Sequence, residues 1–116
     1  MTTLDRFLQQ YIDTALWSST DDRDRPIDDN HSVFDIDTDS LTKMREECSK
    51  FIDQTYDLIS DDIAQAGHDF WLTRNHHGVG FWDGDWEDDG DELTNISHSF
   101  GESYLYVGDD GKLYIS

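Results

Sequence analysis

Positions 83–91 read Asp83-Gly84-Asp85-Trp86-Glu87-Asp88-Asp89-Gly90-Asp91, a run of carboxylates interrupted by two glycines. Hard cations such as calcium take clustered oxygen ligands around a sharp glycine turn. Counting from Asp85 places Glu87 third, Asp89 fifth and Gly90 sixth, as an EF-hand loop requires. The match then fails: the twelfth position, which should hold a bidentate Glu, is Ile96, and no long helix precedes the run. The stretch therefore reads as an acidic surface, with a calcium-binding module as an alternative.

Other residue types that do chemistry offer less. His68, His76 and His77, with Asp69 and Asp83, could supply a metal site or an acid/base pair, but their spacing is neither a zinc-helix signature nor a Cys/His cluster. Adjacent His76 and His77 would point apart on a strand. Ser32, Ser97 and Ser99 lie in no Gly-x-Ser-x-Gly context. Gly78-Val79-Gly80 lacks the Lys-Thr or helix start of a phosphate loop. Cys48, the single cysteine, falls in a helical apolar pattern and reads as a small packing residue. The expectation is a protein that is not an enzyme and uses neither cofactor nor metal.

Charge is the stronger signal. Of 116 residues 27 are acidic, 22 of them Asp, against 8 Lys and Arg, for a net charge of −19. So many like charges destabilise a small compact body, and a partner or a solvent condition is the usual reason for them. Phosphates must be met by Lys and Arg, so direct nucleic-acid binding is disfavoured, and anionic headgroups would repel the chain from a membrane surface. The opposite possibility is imitation of nucleic acid, with carboxylates presented where phosphates would lie. A compact chain of this length has a radius of gyration of about 13 Å and a diameter of about 35 Å, one turn of duplex, which carries about 20 charges. Spread evenly over about 6,500 Å² of surface, however, this charge amounts to only about one per 340 Å². That is several times more dilute than DNA, so mimicry requires the acids to gather on one face.

Two patches are candidates for that face. One is Asp83, Asp85, Glu87, Asp88, Asp89 and Asp91, with Trp86 as an aromatic anchor; the other is Asp21, Asp22, Asp28 and Asp29. In an extended chain Asp35, Asp37 and Asp39 would also project from one side, about 7 Å apart. Salt adaptation competes with mimicry, because high Asp with only 3 Lys is what a saline cytoplasm selects. A structural or assembly role is the third reading.

These stretches need a scaffold. Leu4, Phe7, Leu8, Tyr11, Ile12, Ala15 and Leu16 recur at helical steps and predict a first helix over 2–17. Residues 18–39 hold Pro26 and eight aspartates, and read as an acidic loop with an edge strand near 32–36. With Ser40 as N-cap, Leu41, Met44, Cys48, Phe51, Ile52, Thr55, Leu58 and Ile59 predict a second helix to about 60, then a short turn 61–66 stopped by Gly67. Aromatic and β-branched words follow. They predict strands over 68–74 and 79–82 around Asn75-His76-His77-Gly78, and over 104–107 and 112–115 around Gly108-Asp109-Asp110-Gly111, with a short helix at 92–100. The sum is a single α+β domain over 1–116: two N-terminal helices packed on a small antiparallel sheet of three or four strands, a short extra helix, and acidic loops at 18–39 and 83–91. Trp71 and Trp82 are expected half-buried under that sheet. There is no run of 18 apolar residues, the N-terminus carries acid rather than a basic signal region, and one cysteine makes no internal disulfide. A soluble, cytoplasmic protein is expected.

The stretch Gly67-His68-Asp69-Phe70-Trp71-Leu72-Thr73-Arg74-Asn75-His76-His77-Gly78-Val79-Gly80-Phe81-Trp82-Asp83, continued by Gly90-Asp91-Glu92-Leu93-Thr94, Phe100-Gly101 and Tyr106-Val107-Gly108-Asp109-Asp110-Gly111, resembles a family of short acidic proteins encoded by bacteriophages and mobile elements. The resemblance covers roughly the second half of the chain. That family has no assigned activity, so it implies no catalytic residues. It implies a phage context, in which acidic DNA mimics block restriction or CRISPR proteins. The expected function is anti-restriction or anti-CRISPR inhibition in the cytoplasm of an infected host cell, by binding the basic DNA- or RNA-binding groove of a host defence protein. The alternative is a salt-adapted or structural acidic phage protein.

Overall fold

Capping residues decide where the helices begin. In this computed structural model, which describes residues 2–77, 79–82 and 86–116, with Glu87 by its backbone alone, helix α1 (Thr3–Ser18) opens with a capping box. The Thr2 hydroxyl accepts from the Asp5 amide at 3.0 Å, and the Asp5 carboxylate accepts from the Thr2 amide. Asp37 caps α2 (Thr38–Ile59) by accepting from the Ser40 amide, and Asp62 caps α3 (Ile63–Arg74) by accepting from the Gln65 amide, each at 3.3 Å. Ser40 is thus inside the helix it was expected to cap, and its hydroxyl accepts from the Ile115 amide instead. Helix α4 (Gly90–Ser99) carries Asp91 and Glu92 in its first turn, where the helix dipole favours acids. Strands β1 (Leu105–Val107) and β2 (Leu113–Ile115) pair antiparallel, Leu105 with Ile115, Tyr106 with Tyr114 and Val107 with Leu113.

The expected α+β architecture, with a sheet of three or four strands, does not form. Among the described residues the protein is mostly helical, and its one sheet has two strands. Residues 68–74 belong to α3, and 79–82 form no strand. The reason is burial on nearly every side. Helix α3 packs against α1, α2 and α4, and Phe70, Trp71, Leu72, Thr73 and Arg74 are buried in succession. A helix covered all round shows no one-sided stripe, and a short continuous apolar run has the pattern of a buried strand.

Gly67, expected to stop a turn, lies inside α3 for a different purpose. A Cβ there would stand 2.3 Å from the Phe7 carbonyl oxygen, so only glycine lets α1 and α3 approach this closely. The edge strand expected near 32–36 is also replaced. Ser32 and Asp35 form a second capping box around a 3-10 turn, Val33–Asp35, and Ile36 alone bridges to Leu113.

Aromatic rings fill the centre. Phe51 and Phe70 stack with centroids 4.1 Å apart, and Phe7, Phe81 and Phe100 surround them at 5.2–6.0 Å. Each such pair adds about 0.5–1.5 kcal/mol beyond the area it buries. At the end of α3 the buried Arg74 ties the layers together. Its Nε donates to the Gly101 carbonyl at 2.8 Å, Nη1 to the Tyr11 hydroxyl at 2.9 Å, and Nη2 to Glu47 and to the Phe100 carbonyl at 3.1 Å each. The body measures 43 × 28 × 22 Å with a radius of gyration of 13.8 Å. Among the described residues no helix is long and apolar enough to cross a membrane.

Candidate functional site

Residues four apart share one face of a helix. Asp53 and Asp57 stand so on the exposed side of α2, about 6 Å apart along its axis. Beyond the helix end, the turn into α3 presents Asp61 and Asp62, both exposed. The tertiary fold adds acids from the other half of the chain. Two concavities flank Leu58: one of about 530 Å³, lined by Asp61, Asp62, Gln65, Trp86, Asp88 and Asp89, and one of about 310 Å³, bordered by Asp53, Tyr56, Asp57 and Glu92. Among the described residues seven carboxylates therefore border one region, and neither concavity is lined by Lys or Arg. Lys50, three residues before Asp53, is the next basic residue along α2. The last turn of α2 has no basic residue, so the partial negative charge of its carbonyl end adds to the same field.

Of the first expected patch, Asp88 and Asp89 lie in this region, in a 3-10 turn (Glu87–Asp89) that leads into α4, and Asp91 is exposed in the first turn of that helix. Asp83, Asp85 and the Glu87 side chain lie outside the described residues. Trp86 is not a surface anchor. It is 9% exposed, its ring packs edge-on against Phe81 at 5.4 Å, and its Nε1 donates to Asp69 at 2.7 Å. Asp69 is itself buried and also accepts from Gln65 at 3.0 Å and pairs with His68 Nδ1 at 2.9 Å. This buried carboxylate fastens the start of the acidic turn to α3. Trp71, expected half-buried under a sheet, is fully buried under helices, whereas Trp82 is half-buried as expected but under no sheet, and Tyr56 is about half exposed.

The second patch does not join the first. The loop carrying it leaves α1 where Ser18, Ser19 and Thr20 adjoin Trp71 and Asn75, in the C-terminal part of α3, while Asp61 and Asp62 sit at the other end of that helix. Asp22, Asp28 and Asp29 are exposed, but Asp21 is occupied. It accepts from the amides of Arg23 and Arg25 and from Arg25 Nε, at 2.9–3.1 Å, and these bonds, the Arg25 amide foremost, hold its carboxyl below the usual range. Nor do Asp35, Asp37 and Asp39 form a row: the first two cap helical turns and the third lies in α2. Asp5, Asp21, Asp35, Asp37, Asp62 and Asp110 all accept backbone N–H groups, which accounts for part of the excess of Asp over Glu. The short Asp stem reaches a nearby amide in a turn or cap.

The histidines do not converge. His68 stacks on Trp17 along α3, whereas the His76 ring lies tilted against His98 at 4.5 Å beyond the end of α3. Among the described residues no group of three His, Cys, Asp or Glu is placed to hold a metal ion. Cys48 is fully buried, and burial pushes its thiol well above the ordinary value, so it packs and does not react.

One exposed bond gives a pH dependence of both signs. The Tyr114 hydroxyl donates to Asp110, which lowers the Asp110 carboxyl from its ordinary value and pushes the Tyr114 phenol up to about 12. A depressed carboxyl contributes stability above about pH 4 that is lost as pH falls through the folded value, and a raised phenol contributes stability below about pH 10 that is lost as pH rises through the folded one. The hairpin should therefore be tightest between these limits and loosen on either side, read from the NMR signals of residues 105–115. Tyr114→Phe should abolish the alkaline transition. An unchanged alkaline transition in that variant would assign it elsewhere.

No protein-family model, no curated protein and no solved structure matches this chain.

Proposed function

We propose that the protein is a stoichiometric inhibitor that occupies the basic nucleic-acid-binding groove of a host defence protein, such as a restriction or CRISPR complex, with carboxylates standing in for phosphates. The observation that carries this reading is the gathering of Asp53, Asp57, Asp61, Asp62, Asp88, Asp89 and Glu92 around Leu58, with no cation lining the region among the described residues. Average density does not suffice: 6557 Å² of surface and a net charge of −19 give about one charge per 345 Å². Clustering of these carboxylates around Leu58 supports the reading against that objection. The long dimension of 43 Å also exceeds one duplex turn of about 34–36 Å. The half-exposed Tyr56 supplies an aromatic contact within the region, the role that Trp86 does not fill.

The test is a fourfold variant, Asp53→Asn, Asp57→Asn, Asp61→Asn and Asp88→Asn, which spares the capping Asp62. Exposed pairs contribute about 0.2–1 kcal/mol each, so binding to the partner groove should weaken on the order of 100-fold and lose much of its salt dependence. Thermal stability should hold or rise, because like-charge repulsion is relieved. Partners pulled from host lysate by the wild-type chain should be released by duplex DNA. A variant that still competes with duplex at wild-type concentration would refute the mimicry.

A further inference from the structure

The hairpin has two edges, and the described residues close one of them. In an antiparallel ladder, residues alternate between bonding the facing strand and pointing their N–H and C=O outward. The Ser116 amide donates to the Tyr104 carbonyl at 3.0 Å and the Gly108 amide to the Lys112 carbonyl at 2.8 Å, so residues 104, 106 and 108 bond inward. The outward groups are then those of Leu113 and Ile115 on β2 and of Leu105 and Val107 on β1. On β2 they are used: the Leu113 carbonyl accepts from the Asp37 amide at 2.8 Å, and the Ile115 amide donates to the Ser40 hydroxyl at 3.2 Å. On β1, the amides and carbonyls of Leu105 and Val107 have no hydrogen-bond partner among the described residues, and no helix packs closely against this strand. Unpaired backbone groups are rarely buried, so this edge faces water.

We propose that the β1 edge takes up an extended segment of a protein partner as a third strand, one that carries Lys or Arg at alternate positions. The unpaired amides and carbonyls specify extended backbone, since another strand matches a row of donors and acceptors at this spacing. A two-stranded hairpin is marginal by itself, and a third strand strengthens it. Side chains set the sequence of the partner. Tyr104, Tyr106 and Tyr114 stand on the outer face of the hairpin, opposite Leu105, Val107, Leu113 and Ile115, which pack on the core. The Tyr106 and Tyr114 rings stack at 5.9 Å, and the Tyr104 and Tyr114 hydroxyls donate to Glu102 and Asp110, which hold those rings in place. A partner residue opposite Tyr104 or Tyr106 projects its side chain on the same face, where the ring and the neighbouring carboxylates attract a cation. The overall field selects the same class. A net charge of −19 attracts a basic segment and repels both an acidic one and a second copy of this chain. The proposal does not depend on the inhibitor reading, whose carboxylates lie elsewhere, around Leu58.

The test is titration of nitrogen-15-labelled protein with two octapeptides of one composition, one alternating Lys and Val, the other with its Lys and Val in separate blocks. The alternating peptide should give saturable shifts centred on the amides of Leu105, Tyr106 and Val107, with a Kd on the order of 1 mM, and the block peptide should bind about fivefold more weakly or worse. Val107→Pro removes one outward N–H, leaves the ladder to β2 intact, and should weaken binding about tenfold. Tyr106→Ala should weaken it about two- to fivefold. Should Val107→Pro disturb the hairpin, the alternating peptide N-methylated throughout, which keeps its charge and loses its donors, should fail to bind the wild-type chain. The fourfold Asn variant of the acidic face should still bind the alternating peptide, so failure here and failure of the inhibitor reading are separable. Equal binding of the two peptides, shifts centred on residues 53–62 instead, or undiminished binding by Val107→Pro or by the methylated peptide would overturn the proposal. So would shifts at this edge that appear with protein concentration alone, the sign of a second copy as the occupant.

Discussion

Arg74→Met should lower stability by about 3–5 kcal/mol, because it removes one partner of a buried ion pair. Tm should fall by about 12–20 °C, leaving a domain of ordinary stability barely folded. The guanidinium is 2% exposed and makes four hydrogen bonds, to Tyr11, Glu47, Phe100 and Gly101. Burial alone would lower its pKa, but Tyr11 and Glu47 outweigh that and raise it, so the group stays charged in the core. Its removal strands the Glu47 carboxylate, whose Oε1 already lacks a partner among the described residues, and leaves the carbonyls of Phe100 and Gly101 without their donor. Adding Glu47→Gln to Arg74→Met should therefore recover part of the loss. Arg74→Lys should fall between, since an ammonium keeps the charge but not the planar fork that reaches three elements at once. Urea unfolding checks the series, and a loss below about 1 kcal/mol for Arg74→Met would deny Arg74 this role.

Gly67→Ala should cost about 2–3 kcal/mol, with the opposite sign from an ordinary helix site. On an exposed helix the change is worth about 1 kcal/mol of stabilisation. Here the new methyl would meet three backbone atoms of α1: the oxygen and carbon of the Phe7 carbonyl at 2.3 Å and 3.1 Å, and the Tyr11 nitrogen at 3.3 Å. Backbone in a capped helix cannot rotate aside as a side chain can, so α1 must shift bodily. That shift loosens the rings of Phe7 and Tyr11 against Phe70 and carries a typical overpacking cost of about 1–3 kcal/mol or more. The substitution also discriminates between folds. If residues 68–74 formed a strand after a glycine stop, alanine at 67 would be close to neutral.

The acidic region was half legible in the chain. Asp88, Asp89 and Asp91 stand out as a run, and Asp53, Asp57 and Asp61 recur every four residues outside the apolar stripe of α2, a spacing that marks one helix face. Nothing in the spacing says that the two sets meet. Trp86 was misleading for a physical reason: an indole among acids looks like an exposed anchor, yet its N–H needs an acceptor when buried, and Asp69 supplies it from α3. Asp21, Asp35 and Asp37 were equally ambiguous, because an aspartate placed to cap a turn has the same one-letter identity as one offered to a partner.

Local interactions act over a few residues, so linear order alone decides the net charge, the stripes of α1 and α2, the short helix α4 and the Gly-Asp-Asp-Gly hairpin. Helix α3 and the acidic face are products of tertiary packing. The helix is hidden because neighbours cover it on nearly all sides. The face is hidden because like charges never assemble by their own attraction. Two carboxylates about 6 Å apart in water repel by about 0.7 kcal/mol, less than the roughly 1.5–3 kcal/mol released by burying one large apolar side chain. It is the packing of Phe81, Trp86 and Leu93 against the aromatic core that carries Asp88, Asp89 and Glu92 to Asp57, Asp61 and Asp62.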